Sequence, residues 1–436
     1  MILQDRLIEI LPAWRARARK LVKERGNVKV NDFTIEQVFG GMRDVEVLVT
    51  DISYVDPATG IRFRGYTIPQ VLDKLPQVKG AAMPYVGGLY YLLLTGEVPT
   101  TEQALAVEAE WKARAVVPPH VENVLRAMPD ETHPMTLFSQ GILALQTDSQ
   151  FVKRYSAGMK KDDYWIAALE DSMNLIAKLP VLAAMIYCKK YSKCEVGQAD
   201  PNLDWAGNLA HRLGIANKEY EDLARLYLIL HSDHESGNVS AHAVHLVGSA
   251  LSDVYLAFAA GMNGLAGPLH GLANQECLGW LLSVYQKFNG VPTKEQLEQF
   301  ANETLATGKV IPGYGHAVLR TPDPRFVAQY EFGKKYFPND DLFRLADLVY
   351  QVVPGVLKAQ GKAKNPWPNV DAISGTLQYH YGVREFDFYT VLFGVSRVLG
   401  VTANLVWARA LGQPIERPKS MTMEMLEEIA SKKELN

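Results

Sequence analysis

Apolar residues recur at helical spacing along most of the chain. Leu223, Leu226, Tyr227, Leu230 and His231 follow the i, i+3, i+4, i+7 rhythm of a buried helix face, and His234 continues it. Ser236-Gly237-Asn238 then breaks the run. Ser240 is placed to cap a following helix that carries Ala241, Val244, Leu246, Val247 and Leu251. Leu169 to Leu179 predicts another helix, interrupted at Pro180. Tyr389 to Leu411 reads as one or two buried helices around Gly394 and Gly400, and basic Trp14 to Arg25 as a solvated helix ending at Gly26. Strand signal is confined to the front. Val45-Glu46-Val47-Leu48-Val49 and Ile61-Arg62-Phe63-Arg64-Gly65-Tyr66 flank Asp56-Pro57-Ala58-Thr59-Gly60, a turn sequence. The expected fold is all-α and multihelical, with a minor N-terminal β-hairpin.

With 436 residues, 48% hydrophobic and 21% charged, the chain can bury a large core and form more than one domain. A net charge of −3 gives no reason to expect nucleic acid or an acidic membrane surface as partner. The three cysteines, Cys188, Cys194 and Cys277, are odd in number and form no CxxC, which favours a reducing compartment. Val254 to Gln275 lacks Asp, Glu, Lys and Arg and is long enough to span a bilayer. Its Gly261, Gly264, Gly267, Pro268 and Gly271, however, fit a buried helix running into a backbone-rich loop. Glycine and proline clusters at 261–271, 312–315 and 366–375 are candidate hinges or site walls. The expected division is a small domain over residues 274–376 and a large helical dimerisation domain formed by 1–273 plus 377–436.

Three uncharged segments each isolate one ionisable group. His270 stands in Asn263-Gly264-Leu265-Ala266-Gly267-Pro268-Leu269-His270-Gly271. His316 follows Pro312-Gly313-Tyr314-Gly315, and Asp371 is the only charged residue between Asn365 and Val383. A polar ring in such a setting is costly unless satisfied. Two imidazoles and a lone carboxylate are suited to proton transfer near neutral pH. An apolar setting also raises a carboxyl pKa and strengthens Asp371 as a base. Arg397, the only charged residue from Phe388 to Ala408, needs an anionic partner: a distant carboxylate or a substrate carboxylate. Arg325 and Arg417, each beside a proline, are further candidates. His231, His234, His242 and His245, interleaved with Asp233 and Glu235, invite a zinc reading, but the chain has no His-Glu-x-x-His. The alternatives are hydrogen-bonded core histidines or an anion site, with His234 favoured at the helix end. The 311–316 loop lacks the nucleoside-triphosphate P-loop pattern, though its backbone could still read an adenine edge or a diphosphate.

Taken together, these phrases resemble the citrate synthases of the dimeric, eukaryotic-like si type. The matching stretches are Gly40-Gly41-Met42-Arg43, Gly60 to Tyr66, His231-Ser232-Asp233-His234-Glu235, Gly264 to Gly271, Pro312 to His316, Asn365 to Asp371, and Glu416-Arg417-Pro418-Lys419-Ser420-Met421. They run in family order across nearly the whole chain. The resemblance implies an almost all-helical fold whose small domain closes over the substrates, and a homodimer with sites at the domain cleft. The implied reaction condenses acetyl-CoA with oxaloacetate and water to give citrate and CoA, with no metal and no cofactor.

The resemblance also implies roles. Asp371 looks like the base that takes a methyl proton, His270 like the donor to the thioester oxygen, and His316 like the group that polarises and protonates the ketone. His234, His316, Arg325, Arg397 and Arg417 match oxaloacetate positions, with Arg417 reaching the partner subunit's site. Arg43, Arg320 and Lys364 match CoA phosphate positions. Val310, Pro312, Gly313 and Tyr314 match the adenine-reading backbone, with Asn369 nearby. Lys161 stands where relatives carry an arginine toward the partner's CoA, so charge is kept and the planar fork is lost. Ile373 replaces a histidine found in some relatives. Condensation of propionyl-CoA to 2-methylcitrate would use the same residues, since one methyl is worth about 1–3 kcal/mol of discrimination. A rival from another class is a non-catalytic helical binding protein loaded with metal through the 231–245 histidines. Starting at Met1 without an apolar signal core, the chain is expected in the cytoplasm. The alternative is the mitochondrial matrix, as a processed form.

Overall fold

In the computed structural model, residues 1–192, 196–316 and 318–434 are described, the side chains of residues 192, 433 and 434 excepted. Helix accounts for 64% of the described residues and strand for 3%. The Tyr389–Leu411 helix is buried along nearly its whole length and packs beside the Tyr164–Tyr187 helix. Both are long and apolar enough to cross a membrane, yet 83% of each apolar window is buried inside the protein. Such all-round apolarity is what a central helix requires. Around this pair pack the Lys218–Leu230, Val239–Ser249 and Val254–Leu265 helices.

Several sequence expectations need correction. The helix through Leu169 does not stop at Pro180 but continues to Tyr187. Proline in a helix interior costs about 3 kcal/mol; burial on both sides of Pro180 offsets it, including Ile176, Leu179, Leu182 and Ala183. Tyr389 to Leu411 is one helix, although it contains Gly394 and Gly400. Gly400 lies where a Cβ would come within 2.4 Å of Asp233, so close packing explains the glycine. The cap of the Val239–Ser249 helix is Asn238, whose Oδ1 accepts from Ala241 N at 3.1 Å, rather than Ser240. The helix before it ends at Leu230, so His234 lies in the loop.

The small sheet is antiparallel, in the order β1 (Ser53–Asp56), β2 (Gly60–Phe63), β3 (Tyr66–Thr67). Val45–Val49 is not a strand. Val47 and Val49 are exposed, and it is Ser53 to Asp56 that pairs with β2. The turn decides this: Asp56 Oδ1 accepts from Ala58 N and Thr59 N at 3.0 and 2.8 Å, which closes the hairpin directly after Asp56. The Ile2–Arg25 helix meets Gly26 as expected. The cysteine count points to a reducing compartment, yet Cys188 is disulfide-bonded, while Cys277 is free and buried. Spacing along a chain does not reveal which thiols converge. Cys194 lies outside the described residues.

Candidate active site

Helix ends and one buried helix deliver the ionisable groups to a common site. Asp371 begins the Asp371–His380 helix, and Arg325 lies in the first turn of the Pro324–Tyr336 helix. His234 follows the end of the Lys218–Leu230 helix, and His270 sits in the turn after the Val254–Leu265 helix. Arg397 projects from the middle of the Tyr389–Leu411 helix. Exposed N–H groups and the dipole at a helix N-terminus favour an anion. The Val239–Ser249, Pro324–Tyr336 and Asp371–His380 helices all present that end to the cluster.

Two loops are laced together by their backbones. Gly315 N donates to Trp367 O at 3.0 Å, Asn369 N to Gly313 O at 2.9 Å, and Asp323 N to Pro368 O at 3.2 Å. Asn369 Nδ2 also donates to Gly315 O, and Asn369 Oδ1 accepts from Asp371 N. The lacing brings the His316 loop beside Asp371. Gly313 is required there: its φ is +79°, and a Cβ would lie 2.8 Å from Cα of Ala372.

The hydrogen bonds assign a tautomer to His270 and to His316. Ser240 N donates to His270 Nε2 at 3.2 Å, and Ser240 Oγ lies 2.9 Å from the same nitrogen. A backbone N–H can only donate, so Nε2 is the acceptor and Nδ1 holds the proton of the neutral ring. In His316 the order is reversed. Nδ1 accepts from Val318 N and Leu319 N at 3.0 and 3.1 Å, leaving the proton on Nε2. Burial, and then Arg397, lowers the His270 pKa to about 4; burial, and then Arg325, does the same for His316. His234 is held well below its usual value by burial, Arg325 and His316. The His234 and His316 rings lie 5.5 Å apart. Neutral imidazoles are the donors the arrangement offers.

Burial pushes the Asp371 carboxyl up to about 6, against the pull of Arg325 and Arg397. Arg397, 1% exposed, donates from Nε to His231 O at 3.1 Å. Its Nη1 donates to Asn238 Oδ1 and Ser240 Oγ at 3.0 and 3.2 Å. All of these acceptors are uncharged, and among the described residues no carboxylate lies within ion-pair distance of Arg397. A buried guanidinium so placed is one charge short of neutral pairing. Arg325 is buried too but is paired, its Nη2 lying 2.7 Å from Asp323 Oδ2.

The histidine group divides. His231 is a core residue stacked on Tyr227, with Nδ1 3.0 Å from Tyr227 O. His242 and His245 both face Glu416, with Nε2 at 3.2 and 3.1 Å from its two carboxylate oxygens. Among the described residues no group of three or more His, Cys, Asp or Glu side chains could hold a metal ion. Arg417 is exposed, on the extended segment after the Tyr389–Leu411 helix. Arg43, Lys161, Arg320 and Lys364 are exposed as well. Val310 and Pro312 line a cavity of about 980 Å³ together with Gln275, Glu276, Trp280 and Arg384. Asn238, Ser240 and Asp323 hold the site together, yet pattern alone marks the first two as helix breaker and cap. Their standing at helix N-termini beside candidate residues was the available signal.

Comparison with known proteins gives a consistent picture. Residues 41–419 match the family profile described as "Citrate synthase, C-terminal domain". The chain is 51% identical over 425 residues to "Citrate synthase, mitochondrial" of Xiphias gladius, covering 97% of this chain and 91% of that one. It is 50% identical over 430 residues to the protein of that name from Saccharomyces cerevisiae, covering 99% and 90%. Among solved structures, citrate synthase from Pyrobaculum aerophilum superposes with a TM-score of 0.76 at 26% identity, covering 88% of this chain and 92% of that one. A Thermoplasma acidophilum citrate synthase, solved as a ternary complex with carboxymethyl coenzyme A and oxaloacetate, shares the fold with a TM-score of 0.74 at 22% identity, over 90% of this chain and 97% of that one.

Proposed function

The chain belongs to the citrate synthase family, and we propose that the cluster around Arg397 carries its condensation of acetyl-CoA with oxaloacetate and water to citrate and CoA. The observation that carries this assignment is Arg397 itself, a buried cation whose hydrogen bonds among the described residues go to neutral acceptors. An oxaloacetate carboxylate supplies the missing charge in bidentate form. His234 and Arg325 complete the dicarboxylate pocket.

The proton steps follow from the tautomers. The Asp371 carboxylate takes a proton from the acetyl methyl while His270 Nδ1–H donates to the thioester oxygen. Charge developing on that oxygen is met as it forms, which a weakly acidic methyl group needs. The enolic carbon attacks the ketone carbon of oxaloacetate, and His316 Nε2–H protonates the ketone oxygen. Water then cleaves the thioester, releasing citrate and CoA. Each proton and charge has a side-chain partner, so we infer a reaction without metal or cofactor. Val310, Pro312, Gly313, Tyr314 and Asn369, with Arg43, Arg320 and Lys364, are the proposed CoA contacts.

His316, Arg325 and Asp371 come from residues 274–376, and His234, His270 and Arg397 from the remainder of the chain. That division supports a small domain over 274–376 closing on a large one formed by 1–273 and 377–436. The exposure of Arg417 and Lys161 supports a homodimer in which each reaches the partner's site. The names of the relatives favour the alternative, a mitochondrial protein, over the cytoplasm expected from the sequence. The test is release of free CoA thiol from purified protein with oxaloacetate, comparing acetyl-CoA with propionyl-CoA. Faster turnover of propionyl-CoA would move the assignment to 2-methylcitrate synthesis. No oxaloacetate-dependent release from either would overturn the reading.

A further inference from the structure

The β1–β2 hairpin touches both sides of the oxaloacetate pocket. On one side it holds the loop around His234. Ser53 Oγ donates to Asp233 Oδ2 at 2.7 Å and accepts from Glu235 N at 2.8 Å, while Val55 N donates to Glu235 Oε1 at 2.5 Å. The residues on either side of His234 are thus tied to one strand. Ser53 and Asp233 are both buried, and Glu235 adopts a left-handed φ of +60°. A non-glycine residue keeps such a conformation only where its surroundings impose it.

On the other side, the hairpin turn meets the segment between His316 and Arg325. Arg320 N donates to Pro57 O at 2.9 Å, and Thr321 Oγ1 donates to Ala58 O at 3.0 Å. Gly60, at φ +78°, packs against Pro324, where a Cβ would lie 2.4 Å from both Cγ and Cδ of the ring. Pro324 is the first residue of the helix that carries Arg325. The hairpin therefore spans from the neighbours of His234 to the neighbours of Arg325. None of its own residues belongs to the catalytic cluster.

We propose that the β1–β2 hairpin is a positioning clamp that sets the spacing between His234 and Arg325, and through it the affinity for the dicarboxylate substrate. This rests on the oxaloacetate pocket of the preceding section. Ser53, Gly60 and Thr321 are its positioning residues. The carboxyl groups of oxaloacetate need donors at fixed separation, and small displacements of such donors weaken binding steeply. Loss of the clamp is expected to raise KM for oxaloacetate far more than it lowers kcat, because Asp371 and His270 are held by Asn369 and Ser240, which the hairpin does not touch.

Thr321 is half-buried, so its substitution leaves the core intact. Thr321→Val removes the hydroxyl and is expected to raise KM for oxaloacetate about ten-fold, with kcat within about two-fold of the parent. Thr321→Ser keeps the hydroxyl and restores KM. Gly60→Ala, which pushes on Pro324, is expected to raise KM further. Unmoved KM in both Thr321→Val and Gly60→Ala, whatever their thermal stability, would overturn the clamp while leaving the function standing. Absence of oxaloacetate-dependent thiol release from the unsubstituted enzyme would instead overturn the functional reading, and the clamp with it.

Discussion

The backbone N–H of Ser240 lies 3.2 Å from Nε2 of His270 and makes that nitrogen an acceptor. Ser240 stands in the first turn of the Val239–Ser249 helix, so the donor also carries the positive end of the helix dipole. Protonating Nε2 would set two donors face to face beside Arg397. The ring is thereby kept neutral with its proton on Nδ1, which suits the proposed hydrogen bond to a thioester oxygen. Val318 N and Leu319 N impose the opposite tautomer on His316. One site thus holds two neutral imidazoles that donate from different nitrogens.

The pH dependence follows from these assignments. In the proposed mechanism Asp371 accepts the methyl proton and so must be ionised; burial pushes its carboxyl up to about 6. The His270 and His316 rings, with pKa values of about 4, stay neutral throughout the working range. Activity is expected to fall on the acid side with one apparent pKa near 6, carried by the carboxylate. A pH profile of kcat/KM for acetyl-CoA checks this. A second acid-side limb between about 6 and 7, the ordinary imidazole range, would contradict neutral histidines.

Asp371→Asn is expected to lower turnover by about 10²–10⁴-fold while preserving oxaloacetate binding. Its effect on stability has the opposite sign. The folded carboxyl sits at about 6 against an ordinary 3.8, so its stabilisation is present below pH 3.8 and lost as pH rises through about 6. Relative to the parent, the Asn variant therefore gains stability across that interval and levels off above it. Denaturant titrations at a series of pH values would reveal the trend. A stability difference independent of pH would show that the carboxyl is not shifted.

Arg397→Ala removes a buried charge that hydrogen-bonds to His231 O, Asn238 and Ser240. Oxaloacetate affinity is expected to fall by about 30- to 1,000-fold, equivalent to roughly 2–4 kcal/mol. Arg397→Lys is expected to recover only part of it, because an ammonium cannot make the bidentate pair. Calorimetric titration with oxaloacetate is the measurement, and an unchanged Kd would make Arg397 a purely structural residue.

Gly313→Ala places a methyl group 2.8 Å from Cα of Ala372 and 2.9 Å from Sγ of Cys277, at a φ of +79°. The expected cost is about 1–3 kcal/mol of stability from strain and overpacking. Because the same loop carries His316 and is laced to Asn369, kcat should fall with it. A variant with parental melting temperature and parental kcat would show that the loop yields without disturbing the site.

Subunit exchange tests the dimer. Arg417→Ala and Asp371→Asn should each be nearly inactive as homodimers. Mixed after reversible dissociation, they should regain activity, since one site of a hybrid dimer then pairs an intact Asp371 with an intact Arg417 of the partner subunit. No recovery in verified hybrids would place Arg417 in its own subunit's site.

Legibility differed from element to element. The Lys218–Leu230 and Tyr389–Leu411 helices were visible because a buried helix face repeats within a few residues. Pro180 misled because its local cost is real, and only packing on both sides of the helix overrides it. Val45–Val49 misled because strand propensity describes fit to a pleated surface and cannot supply the partner strand. His270, His316, Asp371 and Arg397 stood out because isolated ionisable groups in apolar segments are expensive and therefore informative.

Residue order alone carried the all-α class, the hairpin turn at Asp56 to Gly60, the family resemblance, and which ionisable groups stand alone in the chain. These are local properties, written in spacing and residue type over short windows. Packing in three dimensions was needed to show that His231 is a core residue while the His234 ring lies beside that of His316, that Arg325 has a carboxylate partner while among the described residues Arg397 has none, and which nitrogen holds the proton in His270 and His316. Those distinctions depend on atoms brought together from segments far apart in the chain, such as Ser240 with His270 and Asn238 with Arg397. Protonation and pairing follow from distance and burial in space, which the order of residues does not encode.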